Sequence, residues 1–448
     1  MINPPTAPKY KDSSKTKKWV IGCFLVCPLL CCGGTALYAR KWVDIFDNSA
    51  DLDRLVVEAK KQGFPMESKD LVASNIVLDS ENSYPEVAKL MQQVPKLSAI
   101  TKTIADFKPT RGGTVPDSTE RFIERSRAIA KFSKFDAHKD YDLGFYVLYP
   151  EYTYLKQAAR ALAMQAEQDA ANGKATAALE GLAQIRRIGD QLIGEKVIIG
   201  GLVNIAIDSI YLRTAGHIIQ WLEKDTDAMS RVKKSLESKI VQTDIRKVLK
   251  GEFFFSVTFA RNYKLFGGSK ALKDDNFMPN LDPKSLRRSG MPSGILERGM
   301  LASYISIMLK TKGIFESEPN SAKAAIQVDK MMAALPQTVS NAYPIIAMPE
   351  WTRAGAAWLM PNIKRQMLIQ AIEVLKKRQG SEFPGSIADI PDPISGGTVN
   401  YKRTAGGFMI YSSGPNGKDD EGPKNKTDRQ KSDDFGFEYP FVQSQAKE

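Results

Sequence analysis

Histidine is nearly missing from this chain: His138 and His217 are the only two in 448 residues. That scarcity sets aside a Ser-His-Asp triad, a two-histidine zinc site and a Cys-His dyad. His217 lies in an apolar helical run and reads as a packed core residue, whereas His138, in the polar segment FDAHKDYD, reads as a surface one. Cysteine is as scarce. Cys23, Cys27, Cys31 and Cys32 are the whole complement and share one apolar stretch, so the rest of the chain can form no disulfide. Three of them recur every four residues, near one helix face; they read as small apolar membrane residues, with a helix contact or an acylation face as alternatives. Gly267-Gly268-Ser269-Lys270 lacks the spacing of a phosphate-binding loop.

What is present is, first, the run from Trp19 to Ala39, which carries no charge. At 1.5 Å per residue its length is about that of a bilayer core. Lys9, Lys11, Lys15, Lys17 and Lys18 precede it, while Asp44, Asp47, Asp51 and Asp53 follow Arg40 and Lys41. Lysine on the leading side argues for an N-terminus inside and the bulk of the chain outside the membrane. A cleaved signal peptide, with small residues at Gly33 to Ala36, is the competing reading. Val20-Ile21-Gly22-Cys23 resembles a lipobox, but the apolar run follows that cysteine instead of preceding it. Pro28 is expected to kink the helix, which a membrane helix tolerates.

Residues 1–18 therefore read as a cytoplasmic tail, 19–39 as a transmembrane helix and 40–363 as an extracytoplasmic helical domain. In that domain Leu52, Leu55, Val56 and Ala59 recur at helical spacing up to Gly63-Phe64-Pro65. Val87, Leu90, Met91 and Val94 mark a second helix. The stripes Tyr154–Ala166 and Leu179–Ile188, parted by Asn172-Gly173, predict an αα-hairpin with no repetition at a repeat period. The apolar run from Val197 to Leu222 is interrupted by Asn204, Asp208 and Arg213, so it reads as a buried bundle helix instead of a second span. The aromatic cluster EFFFSVTF, Glu252 to Phe259, reads as core. A long loop near 265–294 follows, and helices resume near Ile295–Leu309, Ala322–Ala334 and Ala354–Arg378.

The texture changes in the last segment, 364–448. Strand-like runs at Thr398–Arg403 and Phe408–Ser412 flank the turn signal Ala405-Gly406-Gly407. Next come an oxygen-rich loop, Gly414 to Glu421, the pair Asp433-Asp434 and an apolar run, Phe435 to Phe441. Ca²⁺ takes six to eight oxygens, and Asn416, Asp419, Asp420, Asp433 and Asp434 are the candidate ligands, although the EF-hand pattern is absent. The sequence KKRQGSEFP, then PDP, the hairpin with Tyr401 and Phe408, and IYSSGPNGKDD resembles the C-terminal half of type II secretion major pseudopilins. That resemblance covers about residues 364–440 and implies calcium in the loop after the hairpin. The segments VVEAKKQGFP and SENSYPEVAKL and the stretch Ala161–Lys174 also resemble uncharacterised bacterial membrane-anchored proteins with this same ending, which implies no activity.

The fold class expected is mainly α: a helical bundle after one N-terminal transmembrane helix, with a small C-terminal β-hairpin module (α+β). The function expected is that of a non-catalytic, single-pass envelope protein acting as a scaffold or interaction component. Two alternatives stand beside it: an accessory of a type II secretion or pilus-like system, and an envelope hydrolase using paired carboxylates such as Asp274/Asp275. A net charge of +12 favours anionic partners, lipid or cell-wall polymer, besides the membrane and other envelope proteins. Nucleic acid is set aside because the bulk of the chain is exported.

Overall fold

Asn172 and Gly173 end one helix and admit the next, as their sequence predicts. In the computed structural model Gly173 has φ +71°, the left-handed conformation glycine adopts at no steric cost. The Lys174 amide closes the turn on the Asp169 carbonyl at 2.8 Å. The structure describes residues 28–72, 77–94, 97–238, 245–261, 294–338, 340–348, 350–380, 382–423 and 434–440. The apolar run ahead of Pro28, the loop expected near 265–294 up to residue 293, the pair Asp274/Asp275 and Asp433 lie outside them. The kink expected at Pro28 falls at their edge.

Fourteen α-helices are described: α1 Pro28–Lys61, α2 Ser68–Val72, α3 Tyr84–Gln93, α4 Ser98–Asp106, α5 Asp117–Ile129, α6 Pro150–Ala171 and α7 Ala175–Asp190. They continue with α8 Ile198–Trp221, α9 Thr226–Glu237, α10 Ile245–Arg261, α11 Ile295–Ser317, α12 Ser321–Ala333, α13 Ala342–Ala347 and α14 Trp351–Lys376. The strands β1 Asn400–Thr404, β2 Gly407–Ser412 and β3 Phe435–Tyr439 form one antiparallel sheet in that order. The fold is thus mainly helical with a small three-stranded sheet. The predicted hairpin is present, with Thr404 opposite Gly407, and the apolar run after Asp434 supplies the third strand.

Alanine lets α6 be surrounded. Ala158, Ala159, Ala161 and Ala166 are fully buried, and a Cβ on Gly181 of α7 would lie 2.8 Å from that of Ala166. Such small faces bring helices close enough to exclude water along their length. α8 packs against α6, α7 and α14. Among the described residues it is the one helix long and apolar enough, by length and composition, to cross a membrane. Its buried Asn204, Asp208 and His217 each meet a polar partner in the bundle, at Gly189, Arg186 and Glu167.

α1 runs without a break from Pro28 into the bundle, where it lies along α11. Gly299 makes that approach possible, since a Cβ there would sit 2.5 Å from Ile45 Cγ1. Arg298 adds a bond to Asp53 at 3.0 Å. Leu52, Leu55 and Ala59 then enter a second core with Phe253, Leu301, Tyr304 and Trp351. The EFFFSVTF run is core as predicted: Phe253, Phe254, Phe255 and Phe259 of α10 are all buried. The expected boundary at 363/364 falls inside α14. Ile363 and Met367 share one buried cluster with Phe408, Ile410 and Tyr439 of the sheet.

Candidate functional site

The acidic C-terminal loop is drawn together by Asp434. Its Oδ2 accepts the amides of Asp420 at 3.1 Å and Gly422 at 2.8 Å. Asp419 Oδ1 accepts the Tyr411 hydroxyl at 3.1 Å and the Glu421 amide at 2.8 Å. Asn416 instead turns back on its own loop, accepting the Lys418 amide at 2.8 Å. Burial pushes the Asp434 carboxyl up; the two amides oppose that, and the charges of Asp419 and Asp420 add to it. The charges of Asp419 and Asp420 thus bear on Asp434, a repulsion that a cation would relieve. Among the described residues no three such side chains stand close enough to form a metal group, and Asp433 lies outside them.

A second polar region, which the sequence did not single out, surrounds the strap Gly194-Glu195-Lys196 between α7 and α8. Gly251 of α10 allows the strap to lie flat on that helix, because a Cβ there would fall 1.7 Å from the Lys196 carbonyl oxygen. Glu252, the next residue, accepts the Ile198 amide at 2.9 Å and so caps the start of α8. Burial pushes the Glu252 carboxyl up, and this bond opposes it.

Two cavities flank the strap. The first, about 480 Å³, includes Phe135, Asp136, Tyr141, Arg186 and Asp190 in its lining. Arg186 pairs with Asp190 at 2.6 Å and with Asp208 at 3.0 Å. Behind them Arg365 of α14 is buried; its Nη1 donates to Asn362 at 2.9 Å, while Nε and Nη2 have no partner among the described residues. Burial pushes Asp208 up to about 6 against the pull of Arg186 and Arg365, and pushes Arg365 down to about 10.

The second cavity, about 600 Å³, carries five lysines on its walls: Lys60, Lys69, Lys196, Lys247 and Lys250. Glu195 belongs to both cavities. Burial pushes its carboxyl up to about 7; the Tyr152 hydroxyl and Lys196 hold it down, while Asp136 and Glu151 add to the rise. Burial also lowers Lys196, whose ammonium lies 5.4 Å from the centre of the Tyr141 ring. Beyond the strap, Tyr149 stacks on Tyr152 at 5.0 Å and Lys139 pairs with buried Glu151 at 2.9 Å. The chemistry available here is proton exchange at Glu195 and ion pairing at the lysines.

His217 is buried as predicted, its Nδ1 3.0 Å from Glu167, and His138 is exposed beside Asp136. The lysine cavity draws on three separated segments, 60–71, 194–196 and 247–250, so no single window of sequence shows it. The one local cue is the charged pair Glu195-Lys196 after a glycine between two helical runs. Comparison of the chain with models of protein families, with curated proteins and with solved structures returns no match in any of the three.

Proposed function

We propose that this chain is a single-pass, membrane-anchored envelope protein with a non-catalytic, partner-binding body. The observation that carries this is the continuity of α1. The helix begins inside the apolar run and continues, unbroken, to residues buried against α11. An anchor built this way would transmit its position directly to the body instead of through a flexible linker. The charge bias across Trp19–Ala39 sets the orientation, N-terminus inside. Membrane, other envelope proteins and anionic lipid or cell-wall polymer are the partners in this reading.

Calcium is part of the proposal. Asp419, Asp420, Asp433 and Asp434, with Asn416, would hold it, and the like charge that Asp419 and Asp420 bring to Asp434 supports that choice. A second reading, an accessory of a type II secretion or pilus-like system, draws on the passage from α14 into the antiparallel sheet. Crosslinked co-purification with secretion components supports it, and their consistent absence removes it. The main proposal is tested by paired C-terminal reporters, one active outside the cytoplasm and one inside. Activity of the outside reporter alone is expected; activity of the inside reporter overturns the anchor and its orientation together.

A further inference from the structure

We propose that the lysine-lined cavity beside Gly63 and the Gly194–Lys196 strap binds a soluble polyanion carrying two or more phosphate groups. Lys60, Lys196, Lys247 and Lys250 surround one space of about 600 Å³, and none of them forms a salt bridge among the described residues. The acids of the same cavity have partners other than these four lysines. Glu67 pairs with Lys69 at 2.7 Å. Asp70 accepts the amides of Met66 at 3.2 Å and Glu67 at 3.1 Å. The Glu195 carboxyl accepts from the Tyr152 hydroxyl.

Lys196 and Lys250 are half-buried, and the charges of Asp136 and Glu195 act on Lys196 without closing a salt bridge to it. Such groups are costly unless an anion completes them. Gly63 holds the space open: with φ +77° it carries no side chain, and a Cβ there would lie 3.3 Å from the Lys250 ammonium. Ammonium groups bind phosphate as point charges without the planar geometry that carboxylate forks require. With the Glu67–Lys69 pair set aside, these four ammonium groups face the carboxylates of Asp70 and Glu195, an excess of two positive charges, or of three when Glu195 is protonated, which suits more than one phosphate.

The source of the phosphate follows from α1. Lys60 lies 19 residues beyond Lys41 on one continuous helix, or about 29 Å along its axis. Bilayer headgroups extend only about 5–8 Å beyond the hydrocarbon. On the anchored reading proposed above, the cavity therefore stands clear of the headgroups, and the ligand is a polyanion free in solution.

The test uses the full chain in nanodiscs of neutral lipid, titrated with tripolyphosphate by calorimetry at low salt. Binding is expected, weakening as salt rises. In the triple variant Lys60→Gln/Lys247→Gln/Lys250→Gln affinity should fall at least about tenfold. Lys323→Gln/Lys330→Gln, on the exposed face of α12, should leave it unchanged. Glu195 gives a variant that gains affinity. Tyr152, Lys196, Asp136, Glu151, Tyr141 and Tyr149 surround it, and its carboxylate opposes an anion only when ionised. Glu195→Gln should therefore tighten binding at about pH 8 and leave it unchanged at about pH 5.5.

No binding at low salt overturns the proposal, as does wild-type affinity in the triple variant. So does lysine-dependent capture of phosphatidylglycerol vesicles without capture of tripolyphosphate. Alkaline extraction of the full chain from membranes reads the anchor separately, so loss of that reading leaves the titration result intact.

Discussion

Replacing Asp208 by Asn should change the pH dependence of stability by an amount the structure sets. Asp208 is 3% exposed, and burial raises its carboxyl to about 6 although Arg186 lies 3.0 Å away. In the unfolded chain it returns to its usual value near 3.8. The folded state therefore holds the proton more tightly than the unfolded state does. The stability this group contributes is fully present below about pH 4 and is lost as pH rises through about 6. The loss is about 3 kcal/mol, and it levels off above about pH 7. Asn carries no titrating proton. Equilibrium urea unfolding of both chains across this range isolates the term, since other groups cancel in the difference. The wild-type stability should fall relative to Asp208→Asn by up to about 3 kcal/mol between about pH 4 and pH 7, then run parallel. A difference that is flat with pH, or that grows in favour of the wild type, refutes the picture of an incompletely compensated buried carboxylate.

Gly299→Leu places a side chain against Ile45, where a Cβ alone would stand 2.5 Å from Cγ1; a loss of about 1–3 kcal/mol in chemical unfolding is expected, with α1 losing hydrogen-exchange protection first. Phe408, 1% exposed, stacks on Tyr439 at 5.3 Å and meets Phe383 edge-on; Phe408→Ala should cost about 3–5 kcal/mol and open the sheet in hydrogen exchange while α6 and α7 stay protected. Calcium should raise the thermal midpoint of the full chain, and Asp419→Ala or Asp434→Asn should abolish the rise; an unchanged midpoint in the wild type removes the metal from the proposal.

Helix periodicity and turn chemistry were readable because they are local. The stripes flanking Asn172-Gly173 gave the α6–α7 hairpin, and Ala405-Gly406-Gly407 gave the β1–β2 hairpin. Asn204 and Asp208 correctly marked α8 as a bundle helix because a charge in an apolar run demands a partner. That partner was not readable: Arg186 lies on the preceding helix α7, and Arg365 comes from a helix more than a hundred residues later. The lysine cavity was hidden for the same reason, since the stretch holding Lys60 and Lys69, the strap with Lys196 and the helix with Lys247 are separate segments brought together by packing. The third strand was missed because Phe435–Tyr439 alternates only weakly and follows a polar stretch. Its exposed and half-buried residues leave no clean period of two.

α8 and α14 run in the same direction and share a seam with a seven-residue step. Gly201 of α8 faces Trp358 of α14, where a Cβ would lie 2.7 Å from the indole. Seven residues on, Asp208 and Arg365 act on each other by charge, with Arg186 making the direct bridge to Asp208. Seven further, Ala215 and Ile372 are both fully buried in the same core. Beyond the helix ends, Glu223 receives Arg378 at 3.9 Å and bonds the Tyr439 hydroxyl of the sheet. A seven-residue step keeps two helices in contact over many turns, but apolar pairs alone allow the seam to slip by a turn. Opposite buried charges at one position resist that slip, because displaced by a turn each would face hydrocarbon. On this argument the unfavourable ionisation of Asp208 is offset by register. The strap and its cavities lie at the start of α8, and the sheet that carries the acidic loop is fastened at its end. One register therefore fixes the separation of the two regions, at about 36 Å along the helix axis.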